Sequence, residues 1–580
     1  QEHFGWCSEM ESGRGVVTRP LLEELRQSRD DIDKRGSFSR TSSPGGSVSP
    51  PIIALVPYGL ESPQASHACI AHISQSLLEA TDTGDSKQPQ EGTFAALQAF
   101  VDDCSAQQVI KQDSRGSFSG TSRLGDAVEW CRQLMAFTGP GWLMSIAYVD
   151  PGNLEADLQC GAQFGYTLLW ALLGSTAFGL AMQLVAARLG CATRQHLAEL
   201  CCKHYARNTR IMLWLVTELA IIGSDIQEVI GCSIGLEMIF GLPLPVGVLI
   251  TAFSAFCLLF LERLGVRTLE MFFGVLILVL ALSMGRIFMV ISPDSGAILE
   301  GFVVPIMPRS AVQQVVGMVG CVVMPHNLFL HSALVQSRVI EEGAEKEAVN
   351  FYNVESSVAI ITSLLINMFV VAVFAKGFFG TPAADELGLR NAGQYLGEAF
   401  GKPLQFIWAL GLVAAGQSST MTGAYAGQWV MQGYLNLQVA PWRRAIITRS
   451  MALVPTLAVA FYFGDGTSGL DALNEYLNVL QSLVLPFALV PLICLARSEA
   501  VMGELVLSRM SSVLSWIATL FIIGTNVYLF LAEFWDGHST GTLTNSFIMA
   551  GLLVYVILIL YVVYTLDLQE ADAPKTQQLA

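Results

Sequence analysis

A carboxylate stands inside an apolar segment that runs from about 137 to 173. Asp150 is followed there by Pro151, Gly152 and Asn153. Because Pro151 removes a backbone donor and Gly152 weakens a helix, the pattern predicts that the helix unwinds at the carboxylate. A carboxylate and unwound backbone at membrane depth are tolerated where they are buried or line a cavity. An anionic oxygen, an amide oxygen and freed carbonyls outline a cation site, and the alternative is a Pro-Gly kink with a satisfied Asp.

A second apolar segment, from 311 to about 335, is interrupted by Met324, Pro325, His326 and Asn327. Two interrupted segments in corresponding positions of two halves indicate a transporter substrate site. Five spans fit between the breaks, and an odd number means that the second half enters the membrane inverted. The thioether of Met324 is a soft ligand that suits transition metals better than Mg²⁺ or Ca²⁺. Met324 alone is more typical of packing, but its pairing with the first break favours a role as a ligand.

The composition excludes an ordinary soluble protein, since mean hydropathy is +0.51 and 52% of the residues are hydrophobic. We predict an all-α integral membrane protein with twelve spans. Their approximate bounds are 138–158, 164–188, 211–233, 243–261, 269–291, 311–336, 355–376, 396–430, 445–463, 471–495, 510–533 and 543–566. The net charge of −16 is concentrated in tails and loops, and no pattern indicates nucleic-acid binding.

Lys and Arg are concentrated in the connections that follow even-numbered spans. This bias predicts that those connections, and both termini, are cytoplasmic. The residues are Arg188, Arg194, Lys203, Arg207, Arg210, Arg263, Arg267, Arg443, Arg444, Arg449, Arg497 and Arg509.

Residues 1 to about 125 are polar and rich in Ser, Gly and Pro, which predicts a disordered cytoplasmic tail. The tail has no basic region followed by an apolar run, so the sequence does not predict a secretory signal. Ser37 and Ser117 each follow an Arg by two residues in a repeated Arg-Gly-Ser-Phe-Ser sequence, a pattern that suits a kinase but also occurs by chance. Residues 567–580 are predicted to form a short cytoplasmic C-terminal tail.

Three acids of the third span, Glu218, Asp225 and Glu228, lie seven and three residues apart and therefore share one helical face. Such a stripe is typical of a proton relay, although ion pairs with basic residues near span 9 are compatible with it. His326 and His331 fall in the membrane core, where a His either couples occupancy to protonation or bonds between helices. For Gln183, Asn478 and Gln481, interhelical hydrogen bonding is the default and lining of a site is second.

The twelve cysteines fall in spans or in predicted cytoplasmic segments and do not indicate a disulfide framework. Cys201 and Cys202 stand near His196 and His204, but their spacing matches no standard zinc pattern.

The two interrupted segments are recognisable as family signatures. The sequences 139–159 (Gly-Pro-Gly-Trp through Asp-Pro-Gly-Asn) and 324–334 (Met-Pro-His-Asn-Leu-Phe-Leu-His-Ser-Ala-Leu) resemble the first and sixth helices of the Nramp family of proton-coupled divalent metal transporters. Segments 414–423 and 478–483 resemble two further family segments. The resemblance extends over about 130 to 566, and two long signatures in register make it specific.

The resemblance implies a LeuT-like fold. Two inverted five-helix repeats, at about 138–291 and 311–495, would form a transport core within 126–500, and two additional helices would occupy 501–566. The implied metal ligands are Asp150, Asn153, Met324 and the carbonyl of Ala147, with a carbonyl of Cys321 where the family usually has Ala and an amide at Asn478. The thiol of Cys321 either packs or softens the site. Gln183 and His331 would line the site, and Glu218, Asp225, Glu228, His326 and Arg444 (or Arg449) would form the proton route.

The expected function is proton-coupled import of Mn²⁺ or Fe²⁺ into the cytoplasm by alternating access, with no catalytic activity and no resident cofactor. The protein would act as a monomer in the plasma membrane or an acidic endosomal or vacuolar membrane, with metal ions, protons, lipid and a kinase as partners. One rival is a symporter of the same fold for organic solutes or sodium, which would lack the Asp–Met pair. Another is a signalling relative that has lost transport, which would carry a long soluble C-terminal domain.

Overall fold

The computed structural model describes residues 130, 132–134, 137–261, 266–338, 340, 342–435, 441–462, 468–535 and 542–571. The predicted N-terminal tail, including Ser37 and Ser117, and the end of the predicted C-terminal tail lie outside these ranges. Their disorder and their modification therefore remain predictions.

Helices occupy all twelve predicted span positions, and the described residues contain no strand. Span 1 is split into 1a (Pro140–Ile146) and 1b (Pro151–Phe164), and span 6 into 6a (Val312–Val323) and 6b (Pro325–Leu334). The other spans are 2 (Leu169–Thr193), 3 (Arg207–Phe240), 4 (Leu244–Leu261), 5 (Val266–Ile291), 7 (Glu345–Phe378), 8 (Lys402–Leu435), 9 (Pro441–Tyr462), 10 (Ser468–Val484 and Pro486–Arg497), 11 (Arg509–Trp535) and 12 (Thr542–Ala571). Connecting helices are Leu197–His204, Ser295–Val303, Leu389–Phe400 and Glu499–Met502.

Eight of these helical segments are long and apolar enough to cross a membrane, and they belong to spans 2, 3, 5, 6, 7, 10, 11 and 12. In spans 3, 6 and 10 the apolar window is 83%, 94% and 83% buried inside the protein, whereas in spans 11 and 12 it is 22% and 17% buried. Spans 3, 6 and 10 are therefore central, and the two C-terminal helices are peripheral.

Both breaks follow from a proline that begins the second half of a span. Pro151 is the first residue of 1b, and the extended backbone of Asp150 caps that helix. Pro325 is the first residue of 6b, and Met324 before it has φ 28° and ψ 116°, a conformation that a non-glycine residue rarely adopts. Both backbone breaks were predicted from the sequence at these positions.

Each repeat packs against the broken helix of the other. Span 7 packs along both 1a and 1b, and span 2 packs along both 6a and 6b. The second helix of each repeat thus supports the broken helix of the other repeat. This arrangement confirms the predicted fold class, an all-α, LeuT-like pair of inverted five-helix repeats with two additional C-terminal helices.

The connections after spans 2, 6 and 10 meet on one face of the protein. Arg194 pairs with Glu345 (3.3 Å) and donates to the carbonyl of Ile340 (3.1 Å), and Lys346 pairs with Glu504 at 2.7 Å. We call this the basic face. On the opposite face, the connections after spans 1 and 5 meet where Trp170 at the start of span 2 donates to the carbonyl of Ile306 (3.0 Å).

Several predicted boundaries differ from the structure. Span 3 extends over Arg207–Phe240, beyond the predicted 211–233, and span 7 begins at Glu345, ten residues before its predicted start. Span 8 was expected from 396, but residues up to Phe400 belong to the separate helix Leu389–Phe400, and span 8 begins at Lys402. Gly401, with φ 101°, separates the two helices, since such a conformation ends a helix. Span 12 continues to Ala571, beyond its predicted end at 566, because helix persists through the polar residues that follow the apolar run.

Candidate metal-binding site

The side chain of Asn153 connects the two broken helices. Its Nδ2 lies 2.7 Å from Asp150 Oδ1, 2.9 Å from the carbonyl oxygen of Cys321 and 3.4 Å from that of Ala147. The last carbonyls of a helix have no partner within it, and these two come from the ends of 1a and 6a. Three oxygens from two repeats therefore converge on one amide nitrogen.

The same centre contains buried oxygens that lack partners. Asp150 is 1% exposed and Asn153 is fully buried. Among the described residues, neither Asp150 Oδ2 nor Asn153 Oδ1 has a hydrogen-bond partner. Leaving buried polar atoms unsatisfied is costly, so these two oxygens are available to accept a donor or a cation.

Met324 and Cys321 present different groups to this region. Met324 is buried at the second break, and its Sδ lies 3.9 Å from the hydroxyl of Ser224 on span 3. The thiol of Cys321 donates back to the carbonyl of Met318 at 3.4 Å, within its own helix. The backbone of Cys321 thus faces the site, while its thiol is engaged in 6a.

Asn478 contacts the first break from span 10. Its Nδ2 lies 3.2 Å from the carbonyl oxygen of Gly152, and its Oδ1 accepts from Nε2 of Gln227 at 2.8 Å. Gln227 also donates to the carbonyl of Asn474 (3.1 Å). In this structure the amide oxygen of Asn478 therefore accepts a hydrogen bond from span 3. The role of Asn478 as a metal ligand remains a prediction.

The three acids of span 3 are all buried within the protein. The hydroxyl of Ser224 donates to Glu228 Oε1 at 2.9 Å, so one hydroxyl contacts both Glu228 and the thioether at the second break. A Cβ on Gly423 of span 8 would lie 2.5 Å from Asp225 Oδ1 and 3.2 Å from Glu228 Oε2. Span 8 therefore approaches these carboxylates closely because residue 423 has no side chain.

The remaining predicted residues lie at different distances from the break. His326 is buried directly after it, and its Nδ1 has no partner in the described part of the chain. Gln183 is fully buried on span 2, beside Tyr148. His331 is instead at the contact with span 7, where its Nε2 lies 3.4 Å from the hydroxyl of Ser356. Arg444 belongs to span 9, but its side chain is outside what the structure describes.

Sequence reasoning missed several buried polar residues around these breaks. Ser224 is one turn from Glu228, so the helical spacing could have predicted their contact. Nothing in the sequence indicated that Gln227 contacts span 10. Asp157 is 1% exposed and lies seven residues after Asp150, on the same face of 1b. Asn327 is fully buried and occupies the position in repeat two that Asn153 has in repeat one, which a comparison of the two breaks would have identified.

A conventional metal cluster was not expected from the cysteines and histidines, and the described residues contain no group of three or more His, Cys, Asp or Glu that could hold a metal ion. Near the Cys201–Cys202 pair, Arg210 donates to Cys202 Sγ at 3.0 Å. Burial lowers the pKa of His196, in the connection after span 2, to about 4.

Comparison with known proteins identifies the family. A family model described as natural resistance-associated macrophage protein-like (Nramp) matches residues 141–532. Metal transporter Nramp2 of Oryza sativa subsp. japonica is 51% identical over 445 residues, covering 75% of this chain and 84% of that protein. Metal transporter Nramp3 of Arabidopsis thaliana is 49% identical over 440 residues, covering 74% and 86%.

A solved structure supports the same relationship. The crystal structure of the Eremococcus coleocola manganese transporter in complex with an aromatic bis-isothiourea substituted compound matches with a TM-score of 0.65 and 26% identity, covering 80% of this chain and 99% of that chain. The relatives are named as transporters and the fold is a transporter fold, so the protein is not an enzyme. The matched region includes both breaks and the buried centre between them, and the chain belongs to the Nramp family of divalent metal transporters, as an integral membrane protein.

Proposed function

We propose that this protein carries Mn²⁺ or Fe²⁺ into the cytoplasm together with protons, by alternating access around the two breaks. The observation that carries this proposal is the Asn153 amide, held between Asp150 Oδ1 and the carbonyls of Ala147 and Cys321. An N–H group surrounded by three oxygens occupies the place that a cation would take. The solved manganese transporter that resembles this chain supports Mn²⁺ as a substrate.

A divalent ion would bind by replacing that amide nitrogen. Rotation of the Asn153 side chain by half a turn exchanges Nδ2 for Oδ1, so the ion would meet the amide oxygen, Asp150 and the two carbonyls. Asp150 supplies the only carboxylate in this set. Met324, at the second break, supplies a thioether, which favours transition metals over Mg²⁺ and Ca²⁺.

Ser224 provides a physical link between the metal and the proton route. Its hydroxyl contacts the thioether of Met324 and donates to Glu228, which shares a helical face with Asp225 and Glu218. A cation that binds to Met324 would therefore perturb the hydrogen bond from Ser224 to Glu228. Span 9, which carries Arg444, packs against span 3 and supports the proposed pairing of that arginine with these acids.

The proposed direction is based on the distribution of charge. Basic residues are concentrated in connections after even-numbered spans, and three of those connections converge on the basic face. From the positive-inside rule we infer that this face is cytoplasmic. A proton gradient that is acidic on the opposite side would drive metal inward, which suits the plasma membrane or an acidic organelle.

Metal uptake by purified protein in liposomes tests the proposal. The assay imposes a pH gradient and compares Mn²⁺, Fe²⁺, Zn²⁺, Cd²⁺ and Mg²⁺ in competition. Uptake of Mn²⁺ or Fe²⁺ that accelerates with an inward proton gradient is expected. A rate of uptake that does not depend on the gradient would contradict proton coupling. Preferred uptake of Mg²⁺ would contradict the proposed substrate class.

Met324→Ala should change selectivity more than rate. Loss of the thioether leaves oxygen ligands alone, so Ca²⁺ and Mg²⁺ uptake should rise relative to Mn²⁺, and Cd²⁺ uptake should fall most, by about tenfold, the effect of roughly 1.4 kcal/mol. The Cd²⁺/Ca²⁺ uptake ratio is the measurement. Met318→Ala is the control, since it removes a buried thioether of 6a away from the break. An unchanged ratio in Met324→Ala would mean that this residue only packs.

Glu228→Gln should separate proton movement from metal binding. The change removes the titratable group and keeps its shape, so Mn²⁺ should still bind while metal-stimulated acidification of the liposome lumen falls about tenfold or more. His326→Ala should move the pH dependence of the same flux. Metal and proton flux are measured on the same vesicles from about pH 5 to 8. Glu237→Gln, near the C-terminal end of span 3 and paired with Arg390 at 2.7 Å, is the control. Wild-type proton flux in both test variants would place the relay elsewhere.

A further inference from the structure

Glu355 of span 7 holds the entrance of the first broken helix. Its Oε1 accepts from the backbone N–H of Gly139 and, at 3.0 Å, from that of Gly141. The first N–H groups of a helix have no partner within it, so this carboxylate performs the capping role from another span. Glu355 is 3% exposed. A carboxylate buried this deeply is destabilising once it loses its hydrogen-bond donors.

The contact is part of a larger clamp around residues 137–141. Arg338, between spans 6 and 7, donates to the carbonyl of Thr138 at 3.1 Å. The ring of Phe137 stacks on Phe351 of span 7 with centroids 5.3 Å apart. The clamp lies at the basic face, since Arg338 belongs to the connection after span 6. One carboxylate, one guanidinium and one aromatic pair thus hold the start of 1a.

Span 7 supports the rest of span 1 through neutral groups. The hydroxyl of Ser363 donates to the carbonyl of Ser145 (2.9 Å), and Asn367 donates to that of Tyr148 (2.8 Å) beside the break. Residues 355, 363 and 367 are eight and four apart and share one helical face. Among these three supports Glu355 alone is charged, and it lies farthest from the break. Hydrogen bonds to charged groups are roughly twice as strong as neutral ones, so Glu355 dominates the attachment of 1a.

The second half of the fold begins differently. Near the start of 6a, Gln314 donates to the carbonyl of Ala156 (2.6 Å), and Trp170 donates to the carbonyl of Ile306 before it. Gln313 of 6a also bonds the side chain of Glu475 on span 10. The attachment of 1a differs because a carboxylate of span 7 accepts directly from backbone N–H groups at the start of the helix.

We propose that Glu355 is the latch of the gate on the basic face, which holds 1a closed against span 7 and releases it when metal leaves the site. Span 1a has only seven residues, and its backbone is interrupted at Ala147–Asp150, so it can pivot at the break once its entrance is free. Its movement would carry the Ala147 carbonyl away from Asn153 and open the site toward the basic face. This inference rests on the proposed alternating access, and Glu355 acts as a positioning residue without touching the metal.

Hydrogen–deuterium exchange of the full protein in lipid nanodiscs tests the latch directly. In Glu355→Gln, which keeps an acceptor oxygen but loses the charge, amides of residues 138–146 should exchange about tenfold faster. In Glu355→Ala the increase should approach about a hundredfold. Exchange in span 2, at 169–193, should not change. Glu347→Gln, an exposed acid on the first turns of the same span, is the matched control and should behave as the wild type.

Uptake kinetics connect the latch to transport. A released gate lowers the fraction of protein that can bind metal from the opposite side, so the KM for Mn²⁺ uptake should rise about threefold or more in Glu355→Gln, with an unchanged Cd²⁺/Ca²⁺ ratio. Wild-type exchange at 138–146 in both Glu355 variants would overturn the inference. An equal rise in span 2 would also overturn it, since that result means general loosening, and so would faster exchange with an unchanged KM. The exchange result does not depend on which metal is carried, so a failure of the proposed substrate remains distinguishable.

Discussion

Asp150→Ala should reduce uptake of Mn²⁺ and Fe²⁺ by at least about a hundredfold while the protein remains folded. A divalent ion at membrane depth needs a compensating charge. Among the residues that the structure describes, Asp150 is the one carboxylate that contacts the Asn153 amide between the two breaks. Removal of the helix cap that Asp150 provides to 1b costs only about 1 kcal/mol, so the loss of uptake would not result from unfolding. The measurements are uptake in liposomes, Mn²⁺ binding by calorimetry and thermal stability in detergent.

Asp294→Ala provides a matched control for this substitution. Asp294 also caps a helix, and its carboxylate accepts from the N–H of Gly296 at 2.9 Å, but it lies on the exposed connecting helix Ser295–Val303. The control should lose the same type of cap and retain uptake. Near wild-type uptake by Asp150→Ala, or equal losses in the two variants, would contradict the assignment of Asp150 to the metal.

The architecture was predictable because hydropathy and helix-breaking residues act locally. Apolar segments of membrane length identified the spans, and Pro151 and Pro325 determined the breaks. The family signatures then brought Asp150, Asn153 and Cys321 to one centre, where the structure joins them through a single amide. Their role in binding metal remains a prediction of the sequence and of the resemblance.

The partners of each polar group were not predictable, because helical phase determines which residues share a face but not which neighbour that face meets. The oxygen of Asn478 accepts from Gln227, a contact between spans 10 and 3 that no spacing indicates. His331 faces Ser356 of span 7, although its place in the signature favoured the site. Glu355 was missed for the same reason, since its donors Gly139 and Gly141 lie more than two hundred residues away in the chain.

Transport should also require close packing of 6a against span 10, and Gly320→Ala tests this requirement. A Cβ on Gly320 would collide with the carbonyl oxygen of Asn478 and the backbone nitrogen of Ser482, both on span 10. Backbone atoms of a packed helix cannot move aside cheaply, so 6a must shift, at a cost of about 1–3 kcal/mol. The next residue, Cys321, provides the carbonyl that reaches Asn153, so the shift should reduce uptake about tenfold or more.

Gly317→Ala is the control one turn earlier in the same helix. A Cβ there would meet only the Cβ of Asn478, at 3.4 Å, which is ordinary contact. Alanine also favours a helix over glycine by roughly 0.5–1 kcal/mol, so this variant should be as stable as the wild type or slightly more stable, with uptake within about twofold. Uptake and thermal unfolding of both variants are compared in the same lipid. If Gly320→Ala transports metal as well as Gly317→Ala, the position of 6a against span 10 does not control the Cys321 carbonyl, and the two repeats must be aligned by other contacts.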